Sequence, residues 1–207
     1  SARVTAVLVQ GFGGRLGRLT SAARYGRLSL LDAYTFSSKW AESVQRRVES
    51  IMGGPVGDEI EVLPGFPSMN PATFYRDHLP KLQRYASEFH YVSFVHGDMN
   101  AANLLLDGRD NAWIIDFAHA QRSHVLKDVA KFESDLQFIL TPITNEAELR
   151  AAMALTRGLV EIDDLAAPLP SALRGVDQPA LRRCLGTLRA LRRHTGRLCR
   201  EERNPTH

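Results

Sequence analysis

Three polar residues stand at the ends of short apolar runs in mid-chain: Asp98 in His96-Gly97-Asp98, Asn103 five residues on, and Asp116 after Trp113-Ile114-Ile115. Between Asn103 and Asp116 lie two strand-like runs, Leu104-Leu105-Leu106 and Trp113-Ile114-Ile115. The stretch separating them, Asp107-Gly108-Arg109-Asp110-Asn111, has hairpin turn chemistry. A hairpin draws its two ends together, so Asn103 and Asp116 are expected to be neighbours with Asp98 close by. Two carboxylates and an amide oxygen make a hard oxygen-ligand set, suited to Mg²⁺ that keeps waters and substrate phosphates as its other ligands. A carboxylate not consumed by metal can take a proton from a hydroxyl nucleophile. Phosphoryl transfer requires that pairing of a metal against developing charge with a base that orients the attacking oxygen. In the competing reading Asp98 and Asn103 form turns and Asp116 caps a helix, frequent roles for these residues. That reading leaves unexplained why all three sit at strand ends around one hairpin.

The elements that must position these residues follow from periodicity. Val4 to Val9 reads as a buried strand, broken by Gly11, Gly13, Gly14 and Gly17. Ser37 caps a helix expected from Ser38 to Met52, with Trp40, Val44, Val48 and Ile51 on one face and Gly53-Gly54-Pro55 ending it. Gly57 to Pro71 reads as loop. A second helix is expected from Phe74 to Phe89, starting near Leu79 or kinked at Pro80. Tyr91 to Val95 is a short strand. After Phe117 the period is helical again, with Val125, Val129, Phe132, Leu136, Ile139 and Leu140 in one stripe up to Thr141-Pro142. Further helices are expected over Glu146 to Leu159 and Gln178 to Arg203, the latter with Leu181, Leu185, Leu188, Leu191 and Leu198 inward and arginines outward. The fold class is therefore α+β and predominantly helical, carrying one small hairpin.

His96-Gly97-Asp98-x-x-x-x-Asn103 with Ile115-Asp116-Phe117 resembles the catalytic loop and metal-binding strand end of the aminoglycoside phosphotransferase and choline kinase group, within the protein-kinase-like fold. The wider run through Ala118-His119 to His124-Val125-Leu126-Lys127-Asp128 resembles a kinase-like domain of bacterial multidomain conflict and signalling proteins, the ternary complex associated domain. The resemblance implies a protein-kinase-like C-lobe with a small catalytic-loop β-hairpin. It makes Asp98 the catalytic base, and Asn103 and Asp116 the ligands of Mg²⁺ in an ATP-dependent transfer to a hydroxyl. His96 would brace the loop, and Asp128 would hold it from beneath. Val4 to Val9 would match the strand leading to the hinge between lobes, so Val9, Gln10 and Gly11 would meet the adenine. On this basis residues 1–12 form the hinge strand, 13–90 helices, 91–140 the catalytic core and 141–207 the C-terminal helices.

Three departures qualify that picture. Ala118 stands where many kinases have glycine after Asp-Phe, and His119 where the aminoglycoside enzymes often carry a second acid. Only eleven residues separate Asp116 from Asp128, too few for the activation segment of a protein kinase. No lysine-bearing strand follows the glycines at 11–17, so the small lobe is expected to be absent from this chain, supplied by an N-lobe or other domains of a larger protein. A degenerate kinase-like module that binds nucleotide or a partner is the alternative function. A metal-dependent phosphoesterase needs more histidine and aspartate ligands than stand nearby.

Composition bounds the rest. The chain has 207 residues with 44% hydrophobic and 24% charged, which excludes disordered, collagen-like and coiled-coil proteins. No apolar run reaches the roughly 20 residues of a membrane helix, so a membrane partner is not expected. Cys184 and Cys199, two thiols late in the chain, suit a reduced, cytoplasmic protein better than a disulfide framework. His78, His90, His124 and His194 lack metal-ligand spacing, and Trp40 and Trp113 fit apolar stripes and are expected in the core. Net charge is +3, yet eight arginines against two glutamates after Ala180 make that segment +6. Such a run at helical spacing is read as a solvated helix face, and nucleic acid is not expected.

Overall fold

The computed structural model describes residues 22–82, 87–109, 111–162, 164, 165, 167 and 176–201. The expected strand Val4 to Val9, the glycine-rich turn after it and the hinge residues Val9, Gln10 and Gly11 lie outside them. The chain is α+β and predominantly helical. It divides into two compact units, one built from residues 1–24 and 93–207, the other from 25–92.

In the unit 25–92, strand β1 (Arg24–Ser29) leads into a short helix, α1 (Leu30–Ala33). The Ser37 hydroxyl accepts the Lys39 N–H and starts one turn of 3₁₀-helix, which runs on into α2 (Ala41–Met52). Gly53 ends α2 in the left-handed conformation at φ 80°. The expected stripe on this helix is only half-buried at Val44 and Val48, while Trp40 and Ile51 are exposed. Periodicity marks a face but cannot say that anything large covers it.

The segment read as loop, Gly57 to Pro71, is instead an antiparallel hairpin of β2 (Glu59–Leu63) and β3 (Phe66–Met69). Pro64-Gly65 forms its turn, with Gly65 at φ 77° and its N–H on the Glu61 carboxylate at 2.6 Å. Pro67 is tolerated because this sheet has two strands, each an edge. A helical stretch follows: α3 (Pro71–Thr73), a π-turn (Phe74–His78) and α4 (Leu79–Leu82). The π-turn lets the Leu79 N–H reach the Phe74 carbonyl five residues back and widens the backbone just before Pro80. A proline ring needs that room. The expected helix does not reach Phe89: strand β4 (Ser87–Val95) begins two residues earlier, and Phe89 stacks on Tyr25 at 5.5 Å, largely exposed.

The chain passes from one unit to the other within β4. In the unit 93–207, β5 (Leu104–Leu106) and β6 (Ala112–Ile114) pair antiparallel with Leu105 opposite Trp113. β7 (Gln121–His124) precedes α5 (Lys127–Phe138), α6 (Glu146–Val160) and α7 (Pro179–Glu201). The core joins Phe132 and Leu136 of α5, Leu155 and Leu159 of α6, and Leu181, Cys184, Leu185, Leu188 and Leu191 of α7. Leu104 and Ile114 pack against it from the hairpin, whereas Trp113 points outward and is half exposed, contrary to its expected place in the core. The expected stripe on α5 ends at Leu136, since Ile139 and Leu140 lie past the helix end and are exposed. A buried ion pair ties the bundle. The Arg192 guanidinium on α7 donates through Nε to both Glu133 oxygens of α5 at 3.1 and 3.2 Å, and its Nη2 meets Glu133 as well. Its Nη1 reaches the Leu159 carbonyl near the end of α6 at 3.3 Å.

Candidate active site

The loop 96–103 is fastened to one helix at several successive points. Asp128, in the first turn of α5, accepts the His96 N–H on Oδ2 at 2.7 Å and the Gly97 N–H on Oδ1 at 2.9 Å. Three residues on, the Lys131 ammonium lies 3.5 Å from the Asp98 carboxylate. Four further on, Asp135 accepts the Ala101 N–H at 2.8 Å. Positions 128, 131 and 135 follow the i, i+3, i+7 spacing of one helix face, so α5 offers the loop an acceptor, a cation and a second acceptor in line. Between these ties the Met99 side chain enters the core with Phe132 and Leu136 and is wholly buried. The loop is pinned both by hydrogen bonds and by apolar burial. Sequence reading found only Asp128. The spacing of Lys131 and Asp135 from it is the signal that points to them, while Met99 sits in an irregular segment where no period exists to read.

Within the loop two carboxamides do the folding. The Asn100 Oδ1 accepts the Ala102 N–H at 2.9 Å and the Asn103 N–H at 3.3 Å, starting a turn of 3₁₀-helix. Its Nδ2 donates to the Asp98 carbonyl at 3.2 Å and to Asp98 Oδ2 at 3.3 Å. Asn103, almost fully buried, also donates its Nδ2 to the Asp98 carbonyl, at 2.9 Å, which leaves its Oδ1 as the open acceptor.

The far side of the hairpin closes on this loop. The Ile115 N–H donates to the Asn103 carbonyl at 3.1 Å, extending the β5–β6 pairing by one residue. The Ile115 carbonyl meets His96 Nε2 at 2.8 Å, which places the ring proton on Nε2. The fully buried His96 ring also lies 4.8 Å from that of Phe117. Asp116 therefore sits between two residues that both touch His96. It is exposed and left-handed, at φ 61° and ψ 64°, and its carboxylate has no partner among the described residues. A non-glycine residue held there costs free energy that the surrounding contacts must offset.

The structure thus brings Asp98, Asn103, His96 and Asp128 into one hydrogen-bonded loop and sets Asp116 at its border. No group of three or more His, Cys, Asp or Glu is arranged to hold a metal among the described residues. The donors that remain open are the Asn103 amide oxygen and the Asp116 carboxylate, a pair of hard oxygens compatible with Mg²⁺. His119 contributes its backbone, whose carbonyl lies against Gly97. His78, His90 and His124 form no metal group, and the side chain of His194 lies outside the described residues.

A loop carried on a helix face beside a short hairpin defines a small α+β domain with one polar, partly exposed site. Residues 3–207 match the family model of the ternary complex associated domain 9. The chain belongs to that family. No curated protein and no solved structure matches it. No helix among the described residues is long and apolar enough to cross a membrane.

Proposed function

We propose that this domain is the large lobe of a kinase-like phosphotransferase that moves the terminal phosphoryl group of ATP to a hydroxyl, with Asp98 as the base. One observation carries the reading. The Asn103 amide donates to the Asp98 carbonyl while the Asn103 carbonyl receives the Ile115 N–H, so base, amide oxygen and the strand end bearing Asp116 belong to one small constellation. Asn103 Oδ1 and Asp116 would hold Mg²⁺, which when bound neutralises phosphate charge. Asp98 would orient the acceptor hydroxyl and take its proton. Asp128 and His96 support the site without touching substrate. Val9, Gln10 and Gly11 remain the candidates for the adenine contact. The family's name associates it with ternary complexes, which fits a domain that works beside an N-lobe or other domains of a larger protein.

The test is transfer of the γ-phosphate by the whole protein that carries this chain, with calorimetric titration of Mg-ATP alongside. Asp98→Asn should reduce turnover by a factor of about 10² to 10⁴ while nucleotide still binds, and Asp116→Ala should remove the dependence on Mg²⁺. Wild-type turnover in Asp98→Asn overturns the reading. The second reading, a kinase-like module that binds nucleotide or a partner without transfer, is motivated by Ala118 standing where many kinases have glycine after Asp-Phe. Mg-ATP binding with no transfer to any acceptor would select it.

A further inference from the structure

We infer that Asn100 and Lys131 are positioning residues that fix the plane of the Asp98 carboxylate, one at each oxygen. The inference rests on the reading of Asp98 as the base. Lys131 Nζ stands 3.5 Å from Oδ1, and Asn100 Nδ2 stands 3.3 Å from Oδ2. The two come from different directions: Lys131 from α5, Asn100 from the loop itself. Each carboxylate oxygen has two lone pairs, so one on each stays open to a substrate hydroxyl. In the transfer step that hydroxyl gives its proton to an Asp98 oxygen as the new O–P bond forms and the nucleotide's P–O bond breaks. Lys131 keeps its proton and Asn100 its hydrogens throughout. Neither touches the reacting atoms; both act through Asp98. Asp98 is about one-third exposed and Lys131 half exposed, so the pair adds little to folding. What it contributes is orientation, where a misplacement of about 1 Å can cost about 10²-fold in rate.

Asn100 has a second task, since its Oδ1 starts the 3₁₀ turn. Asn100→Ser separates the two, because serine is a good cap acceptor but has no amide to reach Asp98. The expected results are a kcat loss of roughly 10-fold to 100-fold in Lys131→Met and in Asn100→Ser, with KM for nucleotide and Mg-ATP affinity unchanged, and substantial recovery in Lys131→Arg. The inference is overturned if kcat stays near wild type in both variants, if nucleotide affinity falls in parallel with kcat, or if Lys131→Arg is no better than Lys131→Met. If the unsubstituted protein transfers no phosphate, the proposed function fails, and the clamp is judged by the reactivity of Lys131 toward acetic anhydride. Labelling of Lys131 relative to Lys39 should rise in Asp98→Asn. An unchanged ratio sinks the clamp by itself.

Discussion

The backbone of Gly97 runs so close to that of His119 that a β-carbon on Gly97 would stand 2.1 Å from the His119 carbonyl oxygen. Gly97 also has φ 87°, a conformation side chains rarely adopt. Both facts require glycine, and together they fasten the loop to the segment after Asp116. Gly97→Ala is expected to destabilise the protein by about 1–3 kcal/mol from the backbone conformation alone, with the clash adding to it. Urea unfolding should show a lower midpoint with unchanged slope, and an unaltered midpoint would mean the two segments are not in contact.

Asp128 accepts two backbone N–H groups of the loop, and it is itself buried. Asp128→Ala strands both donors, at about 1–3 kcal/mol each. Hydrogen exchange at the His96 and Gly97 amides should accelerate in this variant more than exchange in the core of α7. Asp128→Asn keeps one acceptor and should lie between the two.

The Glu133–Arg192 pair is buried on both sides. Glu133→Gln leaves an uncompensated guanidinium against the core, with an expected cost of about 3–5 kcal/mol. Replacing both partners by Met and Leu should recover most of that loss, because an apolar pair leaves no charge to satisfy. Thermal unfolding of the single and double variants measures the difference. A double variant no more stable than Glu133→Gln would show that the loss comes from packing and not from charge.

Asp107 supplies a pH-dependent element. Hydrogen bonds from the Asn111 side chain and backbone, then from the Arg109 backbone, hold its carboxyl down at about 2. A carboxyl depressed on folding contributes stability above its unfolded value, and that contribution is lost as pH falls through the folded value. The β5–β6 turn should therefore hold at pH 4 and loosen as pH approaches 2. The Asp107 carboxyl carbon shift, followed by NMR, reports the titration, and a midpoint near 3.8 would remove the turn's hydrogen bonds from the account.

Much of the site was legible from order and spacing alone. The strands Leu104–Leu106 and Ala112–Ile114 and the turn between them follow from β-branched and apolar runs flanking Asp, Gly and Asn. The contact between Asp128 and the loop spans more than thirty residues, and only the resemblance to a known family pointed to it. Lys131 and Asp135 escaped notice because a charged residue on an amphipathic helix looks solvated until its partner is known. The hairpin at 59–69 was hidden by its prolines, which mark loops in general yet suit a two-stranded sheet with two open edges. Trp40, Trp113 and Phe89 fit apolar stripes, yet each keeps half or more of its surface exposed. Pattern states which face is apolar, and only the tertiary arrangement states whether that face is covered.

The fastening of the loop by Asp128, Lys131 and Asp135 sets limits on which lengths the sequence tolerates. One residue inserted between Asp128 and Asp135 would turn everything beyond it by about 100° and swing the later partners off the loop. An insertion between Asp107 and Asn111 breaks the hydrogen bonds that Asp107 accepts from Arg109 and Asn111, yet leaves α5 and its partners in the loop where they are. Two stretches of the unit 93–207 thus differ in how far an indel reaches: a rigid ruler of eight positions on α5, and a hairpin tip whose hydrogen bonds are all local.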